Sequence, residues 1–251
     1  MIAKGLKSDS RLARAEVNHI LQALPAKEYA LLVPQLQPVP LVQNQVLFEV
    51  DAAIAGGYFV NTGLISCLTV MRNGDSVEVG LFGHEGFAGL PILLNTAHSS
   101  ARITVQIPGE ASRINADALH KLLPELPMLE RLLYRFTYLQ ALQAQQIAAC
   151  NRLHEVDERL ARRLLMTQDR VHLEILPLTH DLLAAILGTR RSSVTVAAGI
   201  LQKAGIIDSR RGKVHILDRQ KLEEVACECY PAVRSQLHAY LDTAMAPRPG
   251  I

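Results

Sequence analysis

Apolar residues recur along this chain with different periods in successive stretches. Over residues 11–33, Val17, Ile20, Leu21 and Leu24 fall at steps of three and four, which predicts an amphipathic helix. Between about Pro38 and Leu119 the period shortens. Runs at Val46–Phe48, 58–60, Leu64–Val70, 77–79 and 103–107 are rich in β-branched and aromatic residues and are separated by Gly, Asn and Asp. They predict short strands whose spacing suits a sandwich or barrel-like roll. Asn73-Gly74 between two of them predicts a two-residue hairpin turn, because both positions accept positive φ. After Pro127 the helical period returns in Leu129, Leu132, Phe136, Leu139, Gln143, Gln146 and Cys150. That heptad-like seam predicts pairing with a second copy of the helix, the alternative being packing on its own domain. Residues 151–168, with Leu153, Val156, Leu160, Leu164 and Leu165, predict a further helix, with a hinge at 150–154.

The most informative stretch runs from Thr179 to Lys203. Leu182, Leu183, Ile186 and Leu187 form one helix face, Thr179 can cap it, and Gly188 ends it in a tight turn beside small Ala184. A second helix opening at Thr189 would turn Val194, Ala197, Ala198 and Leu201 inward. Its outward side would carry Arg190, Arg191, Ser192, Ser193, Thr195, Val196 and Gln202. Two helices joined this way place one of them in the DNA major groove. The sequence then starts a strand after Gly205, turns through Arg210-Arg211-Gly212-Lys213 and returns through Val214 to Leu217, which reads as a wing. Between Thr179 and Leu217 six Lys/Arg face two acids, a net charge of +4, while the whole chain carries +2. Positive charge is therefore concentrated where phosphates would lie.

Composition excludes several alternatives. At 251 residues with 49% apolar and 20% charged positions, the chain is long enough for two compact domains. It lacks a signal-peptide pattern and any run of ~18 apolar residues, so a cytoplasmic location with no membrane partner and reduced thiols is expected. His84, His98 and His120 lack the close His-x-His plus carboxylate of cupin-like metal enzymes. No nucleophile elbow or Gly-rich phosphate loop precedes a helix, so no enzymatic activity is expected. Cys227 and Cys229, placed on one helix from Asp218, would point about 200° apart. Buried or idle thiols are the expectation, a redox or soft-metal pair the alternative, and neither metal nor cofactor is predicted.

The order of parts resembles the Crp/Fnr family of bacterial transcription regulators over roughly residues 30–225. The residues 178–194 match its helix-turn-helix pattern, and Gly83-His-Glu85-Gly86-Phe-Ala-Gly89 resembles the loop that cradles phosphate and ribose in cyclic-nucleotide sensors. In members that bind cyclic AMP, an Arg-Ser-Ala triplet neutralises the phosphate. Here Ser99-Ser100-Ala101 stands in its place, and Arg102, an odd number of residues along the strand, points to the opposite face. An effector other than cyclic AMP is therefore expected, with an inert roll on a constitutive DNA binder as the alternative. The N-terminal cysteine cluster of iron–sulfur oxygen sensors is absent, and Cys67 and Cys150 alone cannot supply the four ligands such a centre needs. Where family members that read a TGTGA-like half-site carry Arg-Glu-x-x-x-Arg, this chain has Arg191, Ser192 and Val196, which implies a different target sequence.

The expected architecture is α+β: an N-terminal double-stranded, jelly-roll-like β-roll sensor with its helix (1–125), a dimerisation helix (126–152), a C-terminal winged helix-turn-helix (153–220) and a helical extension (221–251). Arg190, Arg191, Ser192, Ser193, Thr195 and Val196 are expected on bases or nearby phosphates, and Thr179, His180, Arg210, Arg211 and Lys213 on the DNA backbone. The expected effector pocket comprises Gly83, Glu85, Gly86, Gly89, Ser99 and Ser100. Leu129, Leu132, Phe136, Leu139, Gln143 and Gln146 are expected to join two copies of the chain. The resemblance implies a palindromic operator and RNA polymerase as partners.

Overall fold

A computed structural model describes residues 18–96 and 98–245. Its first half is a roll of two four-stranded antiparallel sheets. The strands are β1 (Gln37–Leu41), β2 (Val46–Phe48), β3 (Gly56–Val60), β4 (Leu64–Val70), β5 (Ser76–Phe82), β6 (Phe87–Ala88), β7 (Arg102–Ile107) and β8 (Gly109–Asn115). One sheet has the order β1-β8-β3-β6 and the other β2-β7-β4-β5. Phe59, Ile65, Phe82, Phe87 and Ile114 fill the space between them. Strand β1 contains Pro38 and Pro40, which an edge strand tolerates because alternate N–H groups face away from its one partner, β8.

Two local expectations change. The helix read over residues 11–33 is, in its described part, two short helices, α1 (His19–Gln22) and α2 (Ala26–Leu32), parted at Pro25; residues 11–17 lie outside the described set. Asn18 caps α1 with its Oδ1 and donates from Nδ2 to the carbonyls of Val60 and Gly86, at 2.8 and 2.9 Å, pinning the entry to the roll. At the β4–β5 hairpin, Met71 N–H donates to Asp75 and Gly74 N–H to Met71, and Gly74 alone of the turn has positive φ. The loop is thus three residues long, a turn closed by a left-handed glycine, because Asn73 Oδ1 accepts from the Asp75 amide instead of adopting positive φ itself.

Helix α3 (Ala116–Leu122) leads into α4 (Pro127–Leu153), whose free N-terminal amides at Met128 and Leu129 donate to the Glu28 carboxylate. Within α4, Leu129, Leu132, Phe136, Leu139 and Gln143 are all buried by this one chain. Phe136 packs edge-on against Phe82 of the roll and, at 6.0 Å, against Tyr240 of the C-terminal helix α9 (Cys229–Met245). The seam assigned above to a second copy is therefore filled internally, and Gln146 donates to Cys229 of α9. What α4 leaves exposed is another stripe, Tyr134, Tyr138, Ala141, Gln145, Ala148 and Arg152, at steps of four and three.

The helix α4 ends at Leu153, two residues beyond the point where the next helix was expected to begin. There follow α5 (Val156–Val171), β9 (Ile175–Leu176), α6 (His180–Leu187), α7 (Arg191–Lys203), β10 (Ile207–Arg210), β11 (Lys213–Ile216) and α8 (Arg219–Val225). Glu155 and Glu158 form a reciprocal capping box that restarts the helix as α5. The predicted two-stranded wing gains a third strand, with order β10-β11-β9. A second apolar core around Leu160, Leu164, Leu183, Val194 and Leu201 holds this half together.

Candidate functional site

Helices α6 and α7 form the motif read from the sequence. Thr179 Oγ1 accepts from the Leu182 amide at 3.1 Å, and Gly188 closes α6 with φ of +57°. A Cβ on Gly188 would also fall 3.0 Å from Val77 Cγ2 of the roll, so both its conformation and its neighbour favour glycine. Helix α7 begins at Arg191, two residues later than expected, with Arg190 at its N-cap. Val194, Ala197, Ala198 and Leu201 are buried, as the apolar stripe required. Arg190, Arg191, Ser192, Thr195 and Val196 are exposed, while Ser193 is half-buried beside the β4–β5 hairpin. Arg191 reaches Asp181 at 3.3 Å across an open surface, a contact of little energy that an incoming phosphate or base can displace.

His180, expected at the DNA backbone, lies between α6, α7 and the wing. Its Nδ1 lies 3.0 Å from Thr195 Oγ1 and its Nε2 3.0 Å from Ser209 Oγ. Because Thr195 Oγ1 already donates to the Arg191 carbonyl, Nδ1–H donates to Thr195 and Nε2 accepts from Ser209. The imidazole thereby fastens α6 to both α7 and the wing. At the wing tip Arg211 and Gly212 both have positive φ, 50° and 76°, the geometry of a two-residue hairpin turn. Arg210, Arg211 and Lys213 project from it into solvent.

Between the roll and this half lies a buried ionic seam. Arg163 of α5 sits 2.8 Å from the Glu78 carboxylate of β5, and both are almost fully buried. Gln106, Ser66 and Thr167 complete the network through hydrogen bonds. A second pair joins Arg170 Nε to Glu85 Oε1 at 2.7 Å, and Glu85 Oε2 accepts from the Gly83 amide at 3.0 Å. Burial pushes the Glu85 pKa up, but the Arg170 charge and hydrogen bonds outweigh it and hold the carboxyl below its ordinary value. A depressed carboxylate contributes stability above its unfolded pKa, about 4.5, and loses it as pH falls through the folded value. Acid titration monitored by circular dichroism should therefore show wild-type stability falling more steeply below that pH than stability of Glu85→Gln.

The same pair involves a residue of the expected effector pocket. Gly83, Glu85, Gly86 and Gly89 are all buried, and a Cβ on Gly86 would lie 2.8 Å from both Phe82 Cβ and Phe136 Cζ. Packed aromatic side chains leave no room for a side chain at Gly86. Ser99 is buried, with its Oγ donating to the Ala101 carbonyl at 2.6 Å; Ser100 is exposed. Arg102, as expected, points away and pairs at the surface with Glu49. A cavity of 510 Å³ opens beside the Glu85–Arg170 pair, lined in part by His84, Asp169, Arg219 and Arg234; of the six expected residues only Glu85 lines it.

One cluster was missed. Cys150, His154, Cys227 and Cys229 bring a ligand atom each to within 4.8 Å of one another. The sequence reading put Cys227 and Cys229 on one continuous helix, but α8 stops at Val225 and α9 starts at Cys229, so both thiols turn to the same side. The available signal was Cys150 and His154 at i, i+4 on the end of a helix. The Cys150 thiol is drawn down to about 5, chiefly by its hydrogen bond with Cys227, whose own pKa that bond pushes up.

Comparison with known proteins agrees with this architecture. A model of the cyclic nucleotide-binding domain matches residues 38–125, and one of the Crp-like helix-turn-helix domain matches residues 158–225. The transcriptional regulator SdrP of Thermus thermophilus is 31% identical over 177 residues, covering 67% of this chain and 83% of that protein. The chain belongs to the Crp/Fnr family. Among solved structures, a putative Crp/Fnr regulator from Eubacterium rectale superposes with a TM-score of 0.66 at 17% identity, over 82% of this chain and 96% of the other. FixK2 of Bradyrhizobium japonicum gives the same score and identity over 76% and 98%. These two establish the shared fold. As a Crp/Fnr-type transcriptional regulator the chain carries a DNA-binding helix-turn-helix, α6–α7. Among the described residues no helix is long and apolar enough to cross a membrane.

Proposed function

We propose that this Crp/Fnr regulator acts as a homodimer on a palindromic operator, reading each half-site with α7 and gripping the flanking backbone with the wing. The observation that carries the reading is the exposed outer side of α7, headed by Arg190 and Arg191, beside a basic wing tip that is equally open. Arg191 is placed to bind a guanine through O6 and N7; Ser192 offers a less selective hydroxyl; Val196 suits a thymine methyl. Arg210, Arg211 and Lys213, together with Arg190, the amide end of α6 at Thr179 and Ser193, serve the phosphates. Two-fold symmetry sets the half-sites about 34 Å apart. RNA polymerase is the further partner this role calls for.

Selection of bound sites from random DNA tests the assignment. Arg191→Ala is expected to lose about 1–3 kcal/mol and to relax preference at one half-site position, whereas Lys213→Ala weakens all sites alike and flattens the salt dependence. Unchanged base preference in the Arg191 variant refutes its role in reading bases.

The proposed signal for regulation is an effector other than cyclic AMP. Support comes from the packed glycine loop and from Glu85, committed to Arg170 of the DNA-binding half. Any ligand that separates Glu85 from Arg170 re-aims α5 and, through the shared core, α7. Thermal-shift titration with cyclic AMP is expected to leave the midpoint unmoved; a rise that follows mass action would reinstate that nucleotide.

A further inference from the structure

We propose that Cys150, His154, Cys227 and Cys229 hold a single zinc ion in a closed tetrahedral site that clamps the C-terminal segment to the joint between α4 and α5. The site is assembled from two places. Cys150 and His154 lie one turn apart at the end of α4, where His154 leaves the helix with extended ψ of 151°. Cys227 follows the extended Ala226 that breaks α8, and Cys229 opens α9.

The spacing suits one ion. Zinc bonds of about 2.3 Å to sulfur and 2.0–2.1 Å to nitrogen place tetrahedral ligands about 3.5–3.8 Å apart. Here Cys150 Sγ and Cys227 Sγ are 3.5 Å apart, as are Cys229 Sγ and His154 Nδ1. Four donors gathered this closely leave no room for the several-atom core of an iron–sulfur cluster. Three thiolates and an imidazole are also a zinc-type set, and with all four positions taken by protein no site remains for substrate water, which makes the role structural.

Neighbouring groups support the donors. His154 turns Nδ1 to Cys229 and Nε2 toward Glu228 Oε1, 3.9 Å away, so its outer nitrogen faces a carboxylate as in ligating histidines generally. Gln146 Nε2 donates to Cys229 Sγ at 3.0 Å. Zinc with three thiolates carries one net negative charge, and the Arg162 guanidinium lies close enough to Cys150 to offset it.

Position gives the site a consequence. The DNA-binding half enters after His154 and exits before Cys227, so one ion fixes both its ends at the point where it leaves the long helix. The ion closes a loop of chain that contains the whole winged helix-turn-helix, and it restrains the swing of that half about the α4–α5 joint.

Elemental analysis of protein purified under reducing conditions without chelator tests this. About one zinc per chain is expected in wild type and in Cys67→Ser, and almost none in a Cys227→Ser/Cys229→Ser pair. Wild-type protein stripped of metal and titrated with cobalt(II) should develop the thiolate charge-transfer and tetrahedral d–d bands, a readout that does not depend on how the variants fold. Zinc-free wild type with no cobalt spectrum overturns the proposal, as does stoichiometric iron or a Cys150–Cys227 disulfide in the freshly isolated chain.

Discussion

Arg163→Met should destabilise the protein by about 3–5 kcal/mol, more than any substitution of a surface charge. Arg163 is 1% exposed and Glu78 4%, and the pair lies between the roll and the first helix of the DNA-binding half. Removing the guanidinium strands a carboxylate among Ser66 and Gln106, which can hydrogen-bond it but cannot neutralise it. The loss is therefore mostly the cost of an uncompensated buried charge, not the net worth of the pair. A second change separates the two: Glu78→Gln added to Arg163→Met removes the stranded charge while keeping an acceptor for Ser66, and should recover much of the stability. Denaturant unfolding of both variants checks this. By contrast, Arg102→Met breaks the exposed pair with Glu49 and should cost under about 1 kcal/mol. A similarly small loss for Arg163→Met would mean that the seam is wet.

Much of this architecture was legible because it rests on local rules. Thr179, Gly188 and the stripe Val194, Ala197, Ala198 and Leu201 each follow from the geometry of one or two helical turns, and all stand where their spacing put them. Strands β2 and β4 also stand where their apolar runs put them. What escaped was non-local. The seam from Leu129 to Gln143 correctly announced a buried helix face, but periodicity states that a face is covered, not by what; the cover is the roll and α9 of the same chain. Glu85 looked like a ligand contact because its loop is rich in glycine. Its true partner, Arg170, stands 85 positions later. Cys227 and Cys229 are buried as expected, but their separation on one helix failed for the opposite reason, a short-range break at Ala226 whose mark is Pro231 in the first turn of α9.

The correction to α4 leads to the second large effect. If two copies pair through the stripe still exposed, Ala141→Glu should abolish dimerisation and lower operator affinity about 100- to 1,000-fold, the gain that linking two half-site readers confers. Tyr134, Tyr138, Ala141, Gln145, Ala148 and Arg152 recur at steps of four and three, the heptad rhythm of a helix that pairs along its length. Tyr134 and Tyr138, 47% and 67% exposed, are large apolar surfaces without cover in one chain. Small residues at 141 and 148 let two backbones approach closely at the symmetry axis. Glutamate at 141 would set two like charges against each other there, while in a single chain the site is open to water and glutamate is a good helix former. The variant should thus keep its thermal midpoint at low concentration and lose only the assembly. Sedimentation or light scattering reads the mass, and titration against full and half operators reads the affinity. A dimer of undiminished affinity in Ala141→Glu would place the pairing surface elsewhere than on α4.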